Sequence, residues 1–432
     1  MKKKVNIAVV GLGQIGIYLL NELNTKKKDI ELKTGKKINV IAVSAKNPNK
    51  KRKFKINKKI FYKNPLDIIK KLNVDILFES IGKSDGISKK IVENSLKNKI
   101  HVITPNKALI SKHGDYLSKL AEANKVNFEF EASVCGGIPI LRTIKEGLAT
   151  NKISKIYGIL NGTSNYILSE METSKDNLQN VLKKAQNLGY AEPGNAKLDL
   201  DGSDALSKVK ILSSLGYNMK ISRSKCLMEG IQNIEAEDID ISSKLNFRIK
   251  LLGISEIINN KILERVHPCL IKKDTYIANV QGVMNAVILN GTPVGKSVLQ
   301  GEGAGPEPTS SALMSDLLSI LRGNIKFPFG IAYNKRKTIK NYNYNNYSNA
   351  FYLRLEVNDK PGVLSYITKS LAKNKISIER VIQIPDKKNK KASIVIITHK
   401  SKEINFINCL KSIKNNKNIL KKPKSIRLFE HD

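Results

Sequence analysis

The sequence predicts an α/β protein in which a parallel-sheet domain is followed by a central α+β domain and a small C-terminal α+β domain. Three observations lead to this prediction. The apolar run VNIAVV at residues 5–10 leads directly into the glycine-rich segment GLGQIG. A polar, low-complexity stretch occupies residues 334–349. After it, strand and helix patterns alternate in the order βαββαβ, which is typical of a ferredoxin-like domain.

The length and composition indicate a globular protein. A chain of 432 residues can form two or three domains with sizeable cores. Hydrophobic residues make up 41% of the chain, and no run of about 18 apolar residues occurs, so we expect no membrane span. The N-terminal MKKKVNIAVVGLG has basic residues before an apolar run, but that run is short and lacks a cleavage site. We therefore expect a first strand rather than a signal peptide, and a cytoplasmic protein.

The formal net charge of +37 raises the question of nucleic-acid binding. The lysines are nevertheless spread over the whole chain, and few aromatic residues lie between them. Lys, Asn and Ile are abundant together, which indicates a bias in residue usage rather than a binding patch. We expect no nucleic-acid partner, although a basic field would attract an anionic cofactor.

Cysteine and histidine usage gives no indication of disulfides or zinc. The four cysteines lie far apart without a CxxC pair: Cys135, Cys226, Cys269 and Cys409. Reduced structural thiols are the simplest interpretation. The isolated histidines do not have the spacing of zinc ligands.

The segment GLGQIG predicts a Rossmann-like dinucleotide-binding domain over residues 1–135, completed by residues from about 303 to 330. Gly11, Gly13 and Gly16 have the G-x-G-x-x-G spacing between a strand and a helix. The first allows a tight turn, the second lets the backbone approach a pyrophosphate, and the third lets helix and strand pack closely. The helix N-terminus then faces the anion.

The end of the second predicted strand, 37–43, indicates which dinucleotide is bound. An NAD-selective enzyme usually places an acidic residue there to bind the ribose hydroxyls. This chain has Ser44 and Lys46, and then a basic cluster at residues 50–52. Cations suit a 2′-phosphate, so we expect NADP, with NAD as the alternative.

Two further strands of this domain end in polar residues. The segment VDILFESIG at residues 74–82 ends in a glutamate and a glycine turn, and the strand 101–103 is followed by TPNK. Because ligands of doubly wound sheets bind at the carboxyl ends of the strands, Lys107 lies where a substrate or nicotinamide could be.

Three later segments also have features of binding loops. The strand 126–130 precedes EASVCGGIPI, whose small residues and paired glycines indicate either a close approach of backbone or a chain crossing between domains. The segment 157–171 contains NGTSN, in which Asn161, Thr163 and Ser164 could line a polar pocket. In the segment 301–320, a glycine-rich turn opens a helix, a geometry that holds a phosphate or ribose.

The stretch GYAEPGNAKLDLDGSDALSK at residues 189–208 concentrates charge. Asp204 and Lys208 are four residues apart in a helical pattern, so they share one face. Turn formers at 193–195 place Glu192 on a loop near the start of this helix. The residues alone allow two interpretations: a solvated acidic loop with a helical ion pair, or a catalytic floor in which carboxylates hold an ammonium group and a lysine donates a proton.

These motifs together resemble homoserine dehydrogenases of the bacterial type that carry a C-terminal ACT regulatory domain. The resemblance covers nearly the whole chain and rests on seven segments, namely GLGQIG, TPNK, EASVCGGIPI, LNGTSNYIL, GYAEP with DLDGSDALSK, GEGAGPEPTSSA and VNDKPGVLSYIT. It implies an α+β catalytic and dimerisation domain at 136–302, a linker at 334–349 and an ACT domain at 350–432.

The resemblance also implies an activity, the NAD(P)H-dependent interconversion of L-aspartate 4-semialdehyde and L-homoserine on the route to threonine and methionine. The family's proton donor falls on Lys208, with Lys107 as the second candidate. The substrate-binding carboxylates fall on Glu192, Asp199 and Asp204. The cofactor contacts fall on Leu12, Gln14, Ile15, Lys107 and Gly303.

A structural, sodium-type cation site is implied as well. Its ligands fall on the Glu131 side chain and on the backbone oxygens of Val134, Gly136 and Ile138. For the ACT domain, the resemblance implies threonine as an effector bound between paired modules near residues 358–362, in a homodimer or homotetramer. A dimerisation module without a ligand is the alternative.

The sequence departs from the family pattern at one point. The family commonly has AE-x-DP-x-x-D, whereas this chain has AEPGNAKLD, which lacks the DP pair and is one residue longer. Asp199, Asp204 and Lys208 keep their spacing, so the change concerns the loop at Glu192.

Two other classes of protein remain as alternatives. An amino-acid sensor without catalysis would not need both the lysine and the carboxylates. A phosphorylating semialdehyde dehydrogenase would need an activated thiol, and Cys135 is the only cysteine near a glycine turn.

Overall fold

Two large β-sheets organise the protein. The computed structural model describes residues 3–54, 56–191, 196–386 and 388–430. In these residues a six-stranded sheet, a ten-stranded sheet and a short two-stranded ribbon form. None of the helices in this described part of the chain has the length and apolar character needed to cross a membrane.

The first sheet is parallel, and its strand order is β3-β2-β1-β4-β5-β6. Its strands are β1 (Lys4–Val10), β2 (Lys37–Ser44), β3 (Phe61–Tyr62), β4 (Ile76–Glu79), β5 (His101–Ile103) and β6 (Phe128–Glu129). The helices between them are α1 (Gln14–Thr25), α2 (Lys27–Thr34), α3 (Pro65–Lys71), α4 (Ile87–Lys97) and α5 (Lys107–Ala123). The predicted Rossmann-like fold is confirmed. The strand order reverses between β1 and β4, so the ligand crevice of such a fold opens at their carboxyl ends.

Strand β1 is apolar throughout because both faces of the sheet are covered. Val5, Ile7, Ala8 and Val9 are fully buried. A strand that buries both faces has a continuous apolar run, not the alternating pattern of a half-exposed strand. The run therefore fixes β1 in the centre of the sheet.

The second domain is built on an antiparallel sheet with the order β12-β11-β7-β9-β10. Its strands are β7 (Lys152–Ile159), β8 (Leu227–Met228), β9 (Phe247–Ile258), β10 (Lys261–Lys272), β11 (Met284–Thr292) and β12 (Gly295–Glu302). Its helices are α6 (Ile140–Arg142), α7 (Gly162–Ser174), α8 (Leu178–Asn187), α9 (Lys197–Leu200), α10 (Ser203–Gly216) and α11 (Ala236–Lys244). The next helix, α12 (Pro306–Leu321), returns to the first domain, where Leu313 and Leu317 share a core with Leu19 and Leu23 of α1.

The C-terminal domain has the predicted βαββαβ order. Its elements are β13 (Ser348–Asn349), β14 (Phe351–Asn358), α13 (Val363–Lys373), β15 (Ile378–Asp386), β16 (Lys391–Thr398), β17 (Ser401–Lys402), α14 (Glu403–Lys414) and β18 (Lys424–Leu428). The sheet order is β18-β14-β16-β15, while β13 and β17 form the separate ribbon. Phe351 of β14 stacks on Phe406 of α14 with ring centroids 3.7 Å apart.

The two antiparallel sheets are joined edge to edge. β18 pairs in parallel with β10 through Cys269↔Arg427 and Leu270↔Leu428. The C-terminal sheet is therefore a continuation of the central sheet, joined to it by backbone pairing.

The segment 334–349 connects these domains and is anchored on both. The Ile262 N–H donates to Lys340 O at 2.9 Å, and the Tyr342 N–H donates to Ile262 O at 2.8 Å. Farther along, Tyr347 lies against the guanidinium of Arg265, and Tyr344 lies against that of Arg427. The segment 334–349 thus has the composition of a solvated linker, but its tyrosines pack against both domains.

The glycine-rich turn after β1 provides a test of the fold. A Cβ on Gly16 would lie 1.8 Å from Gly11 O, whereas a Cβ on Gly13 would meet no atom within 4 Å. We expect Gly16→Ala to lower the free energy of unfolding by roughly 1–3 kcal/mol, because helix α1 must move away from the turn.

The matched variant Gly13→Ala should keep its stability within about 0.5 kcal/mol and instead weaken dinucleotide binding. Urea denaturation and a cofactor-fluorescence titration measure the two effects. Equal destabilisation by both substitutions would contradict this assignment of roles.

Candidate active site

A cavity of about 570 Å³ lies where the first and second domains meet. Its wall includes many of the residues that the sequence singled out, namely Gln14, Ile15, Lys107, Gly136, Asn161, Thr163, Asp199, Asp204, Lys208 and Gly303. Gln14 and Ile15 follow the glycine-rich turn after β1, and Lys107 is the first residue of α5. The carboxyl-terminal edge of the parallel sheet therefore faces the start of α10, which carries Asp204. Ligands of doubly wound folds bind at this edge of the sheet.

The carboxylate of Asp204 is the centre of the charged wall. Its Oδ2 lies 2.9 Å from Lys208 Nζ, and its Oδ1 lies 2.9 Å from Lys107 Nζ. Asn161 Nδ2 donates to Oδ2 at 2.9 Å. Two lysines from different domains thus converge on one carboxylate.

Lys208 is a buried ammonium. Its residue is 7% exposed, and Nζ donates to Leu160 O at 2.5 Å. Burial alone would lower the pKa of Lys208, but the negative charge of Asp204, which also accepts a hydrogen bond from the ammonium, outweighs it and raises the pKa. The side chain is therefore protonated at neutral pH and can donate a proton.

The two aspartates of this wall have opposite pKa shifts. Burial opposes ionisation of Asp204, but Lys208 and Lys107 outweigh it and hold the pKa of this carboxyl well below its ordinary value. For Asp199 burial dominates and raises the pKa, although a hydrogen bond from Asn161 opposes the shift. Asn161 Nδ2 donates to Asp199 Oδ1 at 2.7 Å, so a single amide holds both carboxylates.

Asn161 is fixed by the helix that follows it. It is the N-cap of α7, and its Oδ1 accepts the Ser164 N–H at 2.8 Å. Thr163 lines the cavity and donates to Tyr190 O at 2.7 Å. Ser164, in contrast, is buried in the first turn of α7 and does not line the cavity, so the expectation that all three residues line it is wrong for Ser164. The reason is the helical periodicity that begins at Gly162, which turns Ser164 inward.

The residues predicted to contact the cofactor are divided between the cavity and its surroundings. Gly11 has a φ of +96°, and its N–H donates to Ser44 O at 2.9 Å, which joins the turn to the end of β2. Leu12 is buried, and its carbonyl accepts Arg52 Nε at 3.3 Å. Lys46 is exposed in the loop that follows β2. The guanidinium of Arg52 also binds Asn47 O, so this basic loop is held against the glycine turn.

The paired glycines of EASVCGG lie against the second glycine-rich loop. A Cβ on Gly136 would lie 2.7 Å from Gly303 O, and one on Gly303 would lie 2.1 Å from Asn285 Nδ2. A Cβ on Gly137 would approach Pro308 within 3.0 Å. The close backbone approach that the sequence indicated is confirmed, and its partner is the loop that opens α12.

The residues implied to hold a cation lie in the loop that follows β6. The carboxylate oxygens of Glu131 accept the Leu141 and Arg142 N–H groups, each at 2.8 Å. Burial raises the pKa of Glu131 against the opposing effect of Lys145. Cys135 and Gly136 have positive φ values of 53° and 43°, so the chain turns sharply here.

Only one side-chain ligand belongs to this set, and the described ranges contain no group of three His, Cys, Asp or Glu residues suited to a metal. An oxygen donor set of one carboxylate and backbone carbonyls fits a hard cation.

Cys135 lines the cavity but is not an activated nucleophile. Burial raises the pKa of its thiol, although Lys208 opposes the shift. A catalytic thiol requires the opposite shift. All four cysteines are free thiols, as expected.

Several cavity residues were not predicted, and one predicted residue lies outside the described chain. Ser133, Thr309 and Tyr190 line the wall without having been singled out, since single hydroxyls have no distinctive pattern. Glu192 lies outside the described residues. The chain on its N-terminal side, Gly189 to Ala191, lines the cavity.

The fold and the cavity define a class of protein. A 3-2-1-4-5-6 parallel sheet with a glycine turn opens into a cavity with a buried, protonated lysine, which is the arrangement of an NAD(P)-dependent oxidoreductase.

Comparison with known proteins identifies the family. The model described as "Homoserine dehydrogenase, NAD binding domain" matches residues 11–131, "Homoserine dehydrogenase" matches 139–318, and "ACT domain" matches 351–414. Homoserine dehydrogenase of Neisseria gonorrhoeae is 38% identical over 93% of each chain, and that of Helicobacter pylori is 36% identical over 99% of this chain and 100% of its own. The crystal structure of a homoserine dehydrogenase from Thiobacillus denitrificans superposes with a TM-score of 0.90 at 34% identity, over 99% of both chains. The chain belongs to the homoserine dehydrogenase family.

Replacing Asp204 tests the electrostatics of the site. We expect Asp204→Asn to lower the free energy of unfolding at pH 7 by about 3–5 kcal/mol, because a buried lysine loses its counter-charge. The folded-state pKa of Asp204 lies below its ordinary value of 3.8, so its stabilisation is complete above that pH and is lost as the pH falls below it. The difference in the free energy of unfolding between Asp204→Asn and the unsubstituted protein should therefore become smaller below about pH 4.

Urea denaturation at several pH values measures this difference. Asp201→Asn is the matched control, since Asp201 accepts the Ser203 N–H at 2.8 Å and pairs with neither Lys107 nor Lys208 in the described part of the chain. The loss of its charge should cost within about 1 kcal/mol. If the stability lost in Asp204→Asn did not change with pH, the assigned ion pairs of Asp204 with Lys107 and Lys208 would be contradicted.

Proposed function

We propose that the protein catalyses the reversible NAD(P)H-dependent reduction of L-aspartate 4-semialdehyde to L-homoserine, a step that leads to threonine and methionine. One observation carries the proposal: Lys107 and Lys208 both pair with Asp204, in a cavity whose wall also includes residues of the glycine-rich turn after β1. The names of the relatives support the substrate. An aldehyde that also carries an amino group suits a wall with lysines for the oxygen and carboxylates for the ammonium.

The chain's own residues orient the substrate and supply the proton. The nicotinamide, when bound, supplies the hydride that adds to the aldehyde carbon. We assign the proton donor to Lys208, whose ammonium is buried and fixed by Asp204 and Leu160 O. It stabilises the developing alkoxide and transfers a proton to that oxygen, which gives the alcohol. Lys107, which is more exposed, adds positive charge beside the same oxygen and is the second candidate for the transfer.

We assign the substrate ammonium to the carboxylates of the same wall. Asp199 lines the cavity, and Asn161 positions it. Asp204 is the second carboxylate and also pairs with Lys208. Glu192 completes the set by its place in the sequence, next to the wall residues 189–191.

NADP is the proposed cofactor, with NAD as the alternative. The loop after β2 has Lys46, Lys50 and Lys51 in place of the acidic residue that binds a ribose diol. We also propose a structural sodium ion at Glu131 with the carbonyls of residues 134, 136 and 138. The buried carboxylate of Glu131 in this loop supports the assignment.

The ACT domain is proposed to bind threonine as a feedback effector between modules of a homodimer or homotetramer. The loop 358–362 ends at Gly362, which has a φ of +86° and caps α13. Asp359 and Lys360 in this loop are exposed, so a second module can reach them. The edge pairing of β18 with β10 gives the domain a direct physical connection to the catalytic sheet.

The first test of this function is NADPH oxidation with L-aspartate 4-semialdehyde, repeated with NADH. We expect turnover with both and a higher kcat/KM for NADPH. Lys208→Ala should lower kcat by about 10²–10⁴-fold, the usual contribution of a general acid, while NADPH binding is retained.

Lys210→Ala is the control, because Lys210 lies on the same helix and contacts Ser224 O instead of Asp204. Near-normal turnover by Lys208→Ala would refute the assignment of the proton donor, and no turnover by the unsubstituted protein would refute the substrate.

The effector proposal has its own test. L-Threonine should lower the rate of NADPH oxidation in a saturable manner, whereas D-threonine at the same concentration should not. The expected reason is that binding at 358–362 shifts the C-terminal sheet and, through β18, the catalytic sheet. An unchanged rate would favour a dimerisation module without a ligand.

A further inference from the structure

Glu79 is a buried carboxylate next to the active site that does not line its cavity. It is the last residue of β4 and pairs with Val10 of β1, at the point where the strand order reverses. Its side chain has no exposed surface. A buried carboxylate is costly unless hydrogen-bond donors surround it, so the identity of those donors shows what the residue does.

Four donors from three different segments surround Glu79. Oε1 accepts the Ile81 N–H at 2.8 Å and Ser88 Oγ at 2.6 Å. Oε2 accepts Thr104 Oγ1 at 2.6 Å and Asn106 Nδ2 at 3.3 Å. Two of these donors belong to the TPNK segment that ends in Lys107. The carboxylate therefore ties the end of β4 to the loop after β5.

This loop sets the position of Lys107. Thr104 Oγ1 also accepts the Asn106 N–H at 3.0 Å, and Asn106 Oδ1 accepts the Leu109 N–H at 3.0 Å as the N-cap of α5. Lys107 is the first residue of α5, and its Nζ lies 2.9 Å from Asp204. A chain of hydrogen bonds thus leads from Glu79 to the cap of the helix that begins with Lys107.

We propose that Glu79 is a positioning residue for the reaction: its carboxylate fixes the loop 104–106 and so holds the Lys107 ammonium on Asp204. The inference rests on the proposed function, in which Lys107 acts on the substrate oxygen. Glutamine at position 79 keeps the shape but turns an amide NH₂ toward donors, so part of this network is lost. A displacement of about 1 Å of a positioned group can lower a rate by up to about 10²-fold.

A double-substitution cycle tests the proposal. Glu79→Gln should lower kcat tenfold or more with a smaller effect on KM, while NADPH binding is retained. Lys107→Ala should lower kcat, and adding Glu79→Gln to it should change kcat by less than twofold, because the positioned group is already absent. The same loss of rate in both backgrounds would overturn the proposal and leave Glu79 with a general structural role.

A matched pair at Thr104 covers the case in which Glu79→Gln does not fold. Thr104→Val removes the hydroxyl that donates to Glu79 and should show the same dependence on Lys107. Thr104→Ser keeps the hydroxyl and should keep most of the activity. Equal activities of the valine and serine variants would count against the network.

An activity-independent measurement separates this inference from the proposed function. The rate at which an acetylating reagent modifies Lys107, read by peptide mass spectrometry, should rise in Glu79→Gln because its ammonium is released from Asp204. Lys112 on the same helix, paired with Asp85, is the internal reference and should not change. An unchanged rate at Lys107 would overturn the inference even if the protein turned over a different substrate.

Discussion

The carboxylate of Asp204, shared by two ammonium groups, is the interaction on which the site depends. Lys208 reaches it from the same helix, and Lys107 reaches it from the first domain. A buried ammonium without a counter-charge is strongly destabilising. Two opposite charges about 4 Å apart attract by about 4 kcal/mol at an effective protein dielectric constant of about 20. The same contact therefore allows a charged lysine to be buried, closes the two domains on each other, and leaves protons on nitrogens that face the cavity.

The rest of the site is built around this contact by backbone that packs closely. The glycines of EASVCGG lie against the loop that opens α12, and Gly16 lies against the turn at Gly11. Such contacts leave no room for side chains, so they fix the spacing between the dinucleotide turn and the charged wall. Asn161 adds the second constraint, because one amide spans Asp199 and Asp204 while its oxygen caps α7.

The C-terminal domain has a short physical connection to this wall. Arg427 of β18 forms ion pairs with Glu229 and Glu403, and the residue after Glu229 is Gly230. A Cβ on Gly230 would lie 1.9 Å from Leu200 O, in the helix that carries Asp199. Arg427, Glu229 and the contact of Gly230 with Leu200 therefore connect the C-terminal sheet to the acidic wall.

The sequence alone determined the elements and much of the site. Apolar periodicity and glycine spacing are local properties, so they predicted the parallel sheet, the βαββαβ domain and the shared face of Asp204 and Lys208. The resemblance to known motifs then indicated the other site residues by position. Tertiary structure decided what depends on contacts between distant residues: Lys107 on Asp204, Asn161 across two aspartates, Glu79 beneath the TPNK loop, and β18 on the edge of β10. Pairings of this kind arise when separate elements pack, and no local pattern of residue types encodes them.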